Sequence, residues 1–193
     1  KIINMAKRLG FGSTINIGLY EEIGGSLPSG DDIRGPAIGN ISIGQGSIEV
    51  TPLQITNLLM IVANDGIKKG LTIVDGITDE NGRVIKKYNK QNDERVLTKE
   101  NCEIVKDFLK DVVENGTAKS LNLDEVGGAA GKTGSAQGVL KGKEVIHGWF
   151  TGYFPADKPK YVITVLDEKA KSGSQSAVPI FEQIAKEIYM LNR

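Results

Sequence analysis

The residues with the clearest chemical content lie in Ala130-Gly131-Lys132-Thr133-Gly134-Ser135-Ala136-Gln137. Lysine supplies a fixed positive charge, and threonine and serine supply hydroxyl donors. Glycine leaves room for a ligand to lie flat against the main chain. A strand built this way is suited to binding an anion. The same residues come within one position of a phosphate-binding loop, which needs a glycine, four residues, then Gly-Lys-Thr. Gly131-Lys132-Thr133 fits the end of that pattern, but the first glycine falls on Val126, and Gly127 is one residue too close. A phosphate loop also runs straight into a helix. Gly134-Ser135-Ala136-Gln137-Gly138 is a poor helix start, because glycine disfavours helix interiors. On chemistry alone Lys132 also reads as a solvated strand lysine, since lysines are mostly exposed.

Other reactive side chains are sparse. His147 is the single histidine, and the chain holds no Gly-x-Ser-x-Gly elbow to present a serine to it, so it reads as structural. Cys102 stands alone in an apolar-periodic segment and reads as a small buried hydrophobe. One Cys and one His exclude a structural zinc site, and no cofactor is expected. The pair Asp31-Asp32 reads as loop caps.

Composition narrows the partners. The 24 basic and 24 acidic residues cancel, which leaves no global field to attract nucleic acid. No apolar run approaches the roughly 18–20 residues of a membrane span, and no signal peptide is visible. The chain opens inside an amphipathic helix, residues 1–10, and reads as cut from something longer.

The elements that must position the strand follow from periodicity. A Gly- and Ser-rich loop region covers residues 10–50. Thr51-Pro52 starts a helix, with Thr as the N-cap and Pro at the first helical position, and Gly66 ends it. Residues 71–88 read as a hairpin, Leu71–Val74 against Arg83–Ile85, around the turn Asp79-Glu80-Asn81-Gly82. Thr98 caps a further helix whose inner face is Ile104, Val105, Phe108, Leu109, Val112 and Val113, stopped at Gly116. Period-two alternation then gives three strands near 129–137, 147–154 and 160–166, the last two antiparallel. A final helix runs from about Val178 to Leu191, with Ile180, Phe181, Ile184, Ile188 and Tyr189 inward. Strands clustered late between helices predict an α+β fold with an antiparallel sheet.

The segment Ala130 to Gln137 resembles the AGKTGTAQ signature of the high-molecular-weight, class B type penicillin-binding proteins, with Ser135 where threonine is usual. Asn40-Ile41-Ser42-Ile43-Gly44-Gln45-Gly46 and Val50-Thr51-Pro52-Leu53-Gln54 are similar to that family's SIGQG…VTPLQ segment. Val113 to Ala118 is similar to its V…GTA turn, and His147 to Pro155 to the strand that follows Lys-Thr-Gly. Gly173 to Ile184 resembles its closing loop and C-terminal helix. The resemblance covers nearly the whole chain in the family's order.

The resemblance implies the C-terminal part of a transpeptidase domain with a partial penicillin-binding, serine β-lactamase-like fold. It implies a D,D-transpeptidase that cross-links peptidoglycan stem peptides ending in D-Ala-D-Ala and that β-lactams acylate. Lys132 becomes a cleft and proton-relay residue. Thr133 and Ser135 bind the substrate carboxylate, and Gly134 lets the peptide pair with the strand edge. The N–H of Ser135 becomes one of two oxyanion donors. No serine in the chain has lysine three places on, so the Ser-x-x-Lys nucleophile is absent. The one Ser-x-Asn string, Ser120-Leu121-Asn122, lies too late in family order and reads as chance. The 193 residues are therefore expected to be inactive alone, partnered by the missing N-terminal part. The parent is expected outside the cytoplasm on a membrane anchor and the piece itself soluble, with exposed sheet edges inviting a homodimer. A non-catalytic sensor of β-lactams or muropeptides on the same fold is the alternative.

Overall fold

The computed structural model describes residues 1–33, 35–88 and 91–192. The side chains of Asp31 and Asp32 lie outside the described residues, and so does the reading of that pair as loop caps.

The elements are α1 (Ile2–Arg8), α2 (Ala37–Ser42), α3 (Pro52–Ala63), β1 (Ile67–Lys68), β2 (Gly76–Thr78), β3 (Val84–Lys87), β4 (Glu94–Arg95), α4 (Lys99–Glu114), β5 (Ala130–Leu140), β6 (Lys143–Phe154), β7 (Tyr161–Asp167) and α5 (Gly173–Leu191). The main sheet is antiparallel in the order β5-β6-β7, and two small pairs, β1-β4 and β2-β3, stand apart from it. This is the expected α+β segregation.

The sheet has two covered faces. On one, Phe150 and Phe154 of β6 meet Phe181 of α5, with the Phe150 and Phe181 rings edge-on at 4.8 Å. On the other, Tyr153 and Ala130 pack with Leu59 and Val62 of α3 and Leu109 of α4. Alternation along β6 sends Phe150 and Tyr153 to opposite sides, as a strand must.

Helix starts agree with expectation where the cap is strong. Thr51 accepts the Gln54 N–H while the Gln54 side chain accepts the Thr51 N–H, a complete capping box ahead of Pro52. Gln54 then does more. Its buried amide donates to the carbonyls of Gly10, Ser13 and Gly24, and so fastens the long loop region to α3. That region is not all loop, because residues 37–42 form α2.

Four further expectations are corrected. Leu71–Val74 is not a strand: pairing starts at the turn, where Asp79 Oδ1 accepts the N–H groups of Asn81 and Arg83, and joins Gly76–Thr78 to Val84–Lys87. The Thr72 hydroxyl closes a local turn with Val74, and Ile73 N–H bonds Ile17 O. The strands expected at 129–137 and 147–154 extend to a tight turn at Lys141-Gly142, both with positive φ. A two-residue turn of that kind matches strand twist, and the charged residues around it hide the alternation.

The third correction concerns α4. It packs through Cys102 and Leu109, with Val112 and Val113 partly covered, while Ile104, Val105 and Phe108 face solvent. Lys106 shares the inward stripe and donates to Asp65 at 2.5 Å. The fourth concerns α5, which begins at Gly173, because Ser172 accepts the Gln175 N–H as N-cap and the helix runs through Pro179. It buries Ala177, Val178, Phe181 and Ala185, leaving Ile180 and Ile184 outside. The alanines face the sheet because a close helix needs small residues at the contact.

Candidate active-site wall

Lys132, Thr133, Gly134 and Ser135 all lie on β5, an edge strand of the sheet. The segment is extended, so the phosphate loop is ruled out by the absence of any following helix. Each residue is fixed by its register partner on β6: Lys132 by Thr151, Thr133 by Phe150, Gly134 by Trp149 and Ser135 by Gly148.

Register also assigns sides. Cross-strand partners point the same way. Thr151 bonds Thr164, which bonds Thr56 of α3, so Lys132 belongs to the α3 side. Phe150 packs on α5, so Thr133 and Ser135 belong to the α5 side. The strand thus offers an ammonium on one side and two hydroxyls on the other, with Gly134 between them. Lys132 is exposed, and its Nζ donates to the Thr133 carbonyl at 2.9 Å.

Both hydroxyls have protein partners. Thr133 Oγ1 lies 2.6 Å from Thr117 Oγ1, which comes from the turn after α4. Ser135 Oγ accepts the N–H of Gly173, the first residue of α5, at 3.3 Å. It keeps its own proton to donate. The N-terminus of α5 therefore lies beside Ser135, and helix N-termini favour anions.

The loop after α2 closes one flank, where Gln45 Nε2 donates to the Ser135 carbonyl at 3.3 Å. An open cleft of about 710 Å³ runs from there, lined by Asn40, Ile43, Gln45 and Gly46 on one bank and Ser135, Gln137 and Ile146 on the other. The segment similar to SIGQG thus lines one bank of this cleft. The contacts of Thr117, Gln45 and Gly173 with β5 were not foreseen. Their segments carried recognisable motifs, but a hydrogen bond between segments 16 to 90 residues apart leaves no local signal.

His147 pairs with Ala136, and its Nδ1 is buried without a hydrogen-bond partner among the described residues, so no carboxylate orients it as a triad requires. Cys102 is fully buried, and burial pushes its thiol pKa up. In Ser120-Leu121-Asn122, Leu121 packs in the α5 core and the Asn122 N–H bonds Glu182. Among the described residues no helix is long and apolar enough to cross a membrane.

Comparison with known proteins agrees with the fold. Residues 1–186 match the family model of the penicillin binding protein transpeptidase domain. The penicillin-binding protein PbpB of Mycolicibacterium smegmatis is 30% identical over 202 residues, covering 96% of this chain and 31% of that protein. The peptidoglycan D,D-transpeptidase MrdA of Haemophilus influenzae is 29% identical over 222 residues, covering 100% of this chain and 33% of that protein. The crystal structure of penicillin binding protein 3 from Mycobacterium tuberculosis, complexed with aztreonam, superposes with a TM-score of 0.84 at 29% identity, over 98% of this chain and 46% of that one. The chain spans about a third of the length of the curated relatives it matches.

Proposed function

This chain belongs to the penicillin-binding protein transpeptidase domain family, and we propose that it supplies the substrate-binding wall of a peptidoglycan D,D-transpeptidase. In this reading a serine outside these 193 residues attacks the penultimate D-Ala carbonyl of a stem peptide. Terminal D-Ala leaves, and an amine from a neighbouring stem resolves the acyl-enzyme. Both halves of the domain are needed: the nucleophile from elsewhere, the wall from here.

Each wall residue has a task. Lys132 sets a positive potential on the side of the strand away from the hydroxyls and assists proton transfer there. Thr133 and Ser135 donate to the substrate's terminal carboxylate, next to the N-terminus of α5. Gly134 leaves the strand edge clear for a peptide to add as a further strand. The Ser135 N–H serves as an oxyanion donor, a kind of contact worth roughly 10²–10³ in rate.

The observation that carries the reading is Lys132-Thr133-Gly134 on an exposed sheet edge with a hydroxyl at Ser135 beside a helix N-terminus. Fluorescent penicillin tests it. The protein carrying both this chain and its Ser-x-x-Lys segment is expected to give a labelled band on a denaturing gel. An unlabelled protein refutes the transpeptidase reading.

A further inference from the structure

Thr117 lies outside the four wall residues, yet its hydroxyl oxygen is 2.6 Å from that of Thr133. Its backbone is held from both sides. The next residue, Ala118, is fully buried, and its N–H donates to Val112 O at 3.1 Å. Lys119 N–H turns back to Gly116 O at 3.3 Å. Threonine's branched Cβ further limits χ1. The Thr117 hydroxyl is thus presented to Thr133 by a fixed turn.

Two hydroxyls at this distance share one proton between them, and either can donate. If Thr133 donates, its proton is spent on Thr117 and only its lone pairs face a ligand. If Thr117 donates, the Thr133 proton is free to point outward. A carboxylate offers acceptors only, so it binds the second arrangement. The exchange keeps the Thr117–Thr133 hydrogen bond, so the ligand gains a donor without breaking a contact. The accepted bond also polarises the Thr133 hydroxyl and strengthens its donation. A carboxamide offers both donor and acceptor and can use either arrangement.

We infer that Thr117 is a positioning residue that turns the Thr133 proton toward the ligand and favours a carboxylate over its neutral amide. This rests on the proposed function, in which Thr133 meets the substrate carboxylate. Thr117 touches Thr133 and acts on the ligand only through it.

The test uses the protein that carries this chain together with its nucleophile. Two acyl-donor thioesters differ only in ending as a free carboxylate or as a carboxamide, and kcat/KM is measured for each. Thr117→Val is expected to lower the carboxylate value about 3- to 10-fold, the range of one net hydrogen bond. The carboxamide value should change less than about 2-fold, and Thr117→Ser should restore the carboxylate value to within about 2-fold. Thr117 is exposed, so the valine variant is expected to keep the wild-type melting temperature. Equal loss on both thioesters, no loss on either, or failure of serine to rescue overturns the inference while leaving the transpeptidase reading intact. A wild-type protein that turns over neither thioester overturns both.

Discussion

Gly173, the first residue of α5, stands against the main chain of Gly134: a Cβ at position 173 would lie 2.4 Å from the Gly134 carbonyl oxygen and 2.4 Å from that of Trp149. Both obstacles are backbone, so neither can turn aside. The contact ties the α5 N-terminus to the Lys132-Thr133-Gly134 segment. It also brings the Gly173 N–H to Ser135 Oγ.

Gly173→Ala is therefore expected to push the helix start off β5. Overpacking of this kind destabilises by about 1–3 kcal/mol, read as a lower urea midpoint. Labelling of the full protein by fluorescent penicillin should slow as well, because Ser135 loses a partner. An unchanged midpoint and labelling rate would show that the close contact is relieved elsewhere at no cost.

Gln54 makes a separate prediction about the loop region. Its amide nitrogen serves three carbonyls, and its oxygen accepts the Thr51 N–H. Gln54→Glu keeps the acceptor and removes the donors, leaving three carbonyls facing a carboxylate. Loss on the order of 2–3 kcal/mol follows from unsatisfied buried groups. Amide exchange at Ser26, whose N–H bonds Glu49 O, should quicken in the variant. Retained stability and protection at Ser26 would mean that the loop is held by other contacts.

Tyr153 carries a pH dependence. Its hydroxyl is buried without a hydrogen-bond partner among the described residues. Burial, reinforced by the nearby Asp107 and Asp157 charges, pushes its pKa up to about 12 from 10.0. The folded state then holds this proton while the unfolded chain releases it. Stability from this group is fully present below pH 10 and is lost as pH rises from about 10 toward 12, by on the order of 2 kcal/mol. Tyr153→Phe should remove that alkaline loss and leave neutral-pH stability equal or higher by up to about 1 kcal/mol, since it deletes an unsatisfied group. Matching alkaline melting curves for the two proteins would exclude this role for Tyr153.

The edges of the main sheet, β5 and β7, have no further strand among the described residues. Exposed edges pair with other chains. The 193-residue chain on its own is expected to dimerise in light scattering, and to form no covalent adduct with fluorescent penicillin, since it lacks Ser-x-x-Lys. A monomer argues that the edges are otherwise protected, and a labelled band argues for a nucleophile other than a Ser-x-x-Lys serine.

Much of the fold was legible where local chemistry decides. Thr51-Pro52, Thr98 and Asp79-Glu80-Asn81-Gly82 fix helix and turn positions through bonds between near neighbours. Inward faces were less legible. Ile104 and Phe108 look like core residues and are exposed, whereas Ala177 and Ala185 are buried because α5 lies close on the sheet. The start of α5 at Gly173 was not legible, because its first turn, Gly173-Ser174-Gln175-Ser176, carries no apolar periodicity. The wall residues were visible as a motif, but what orients them was not. Thr117, Gln45 and Gly173 reach β5 only through tertiary packing.

The most direct measurement is a crystal structure of the full protein with a β-lactam bound. The ligand carboxylate is expected within about 3 Å of both Thr133 Oγ1 and Ser135 Oγ, ordinary hydrogen-bond reach, with the ligand backbone running along β5 past Gly134. A carboxylate bound away from both hydroxyls, or a ligand seated where it does not touch β5, would contradict it.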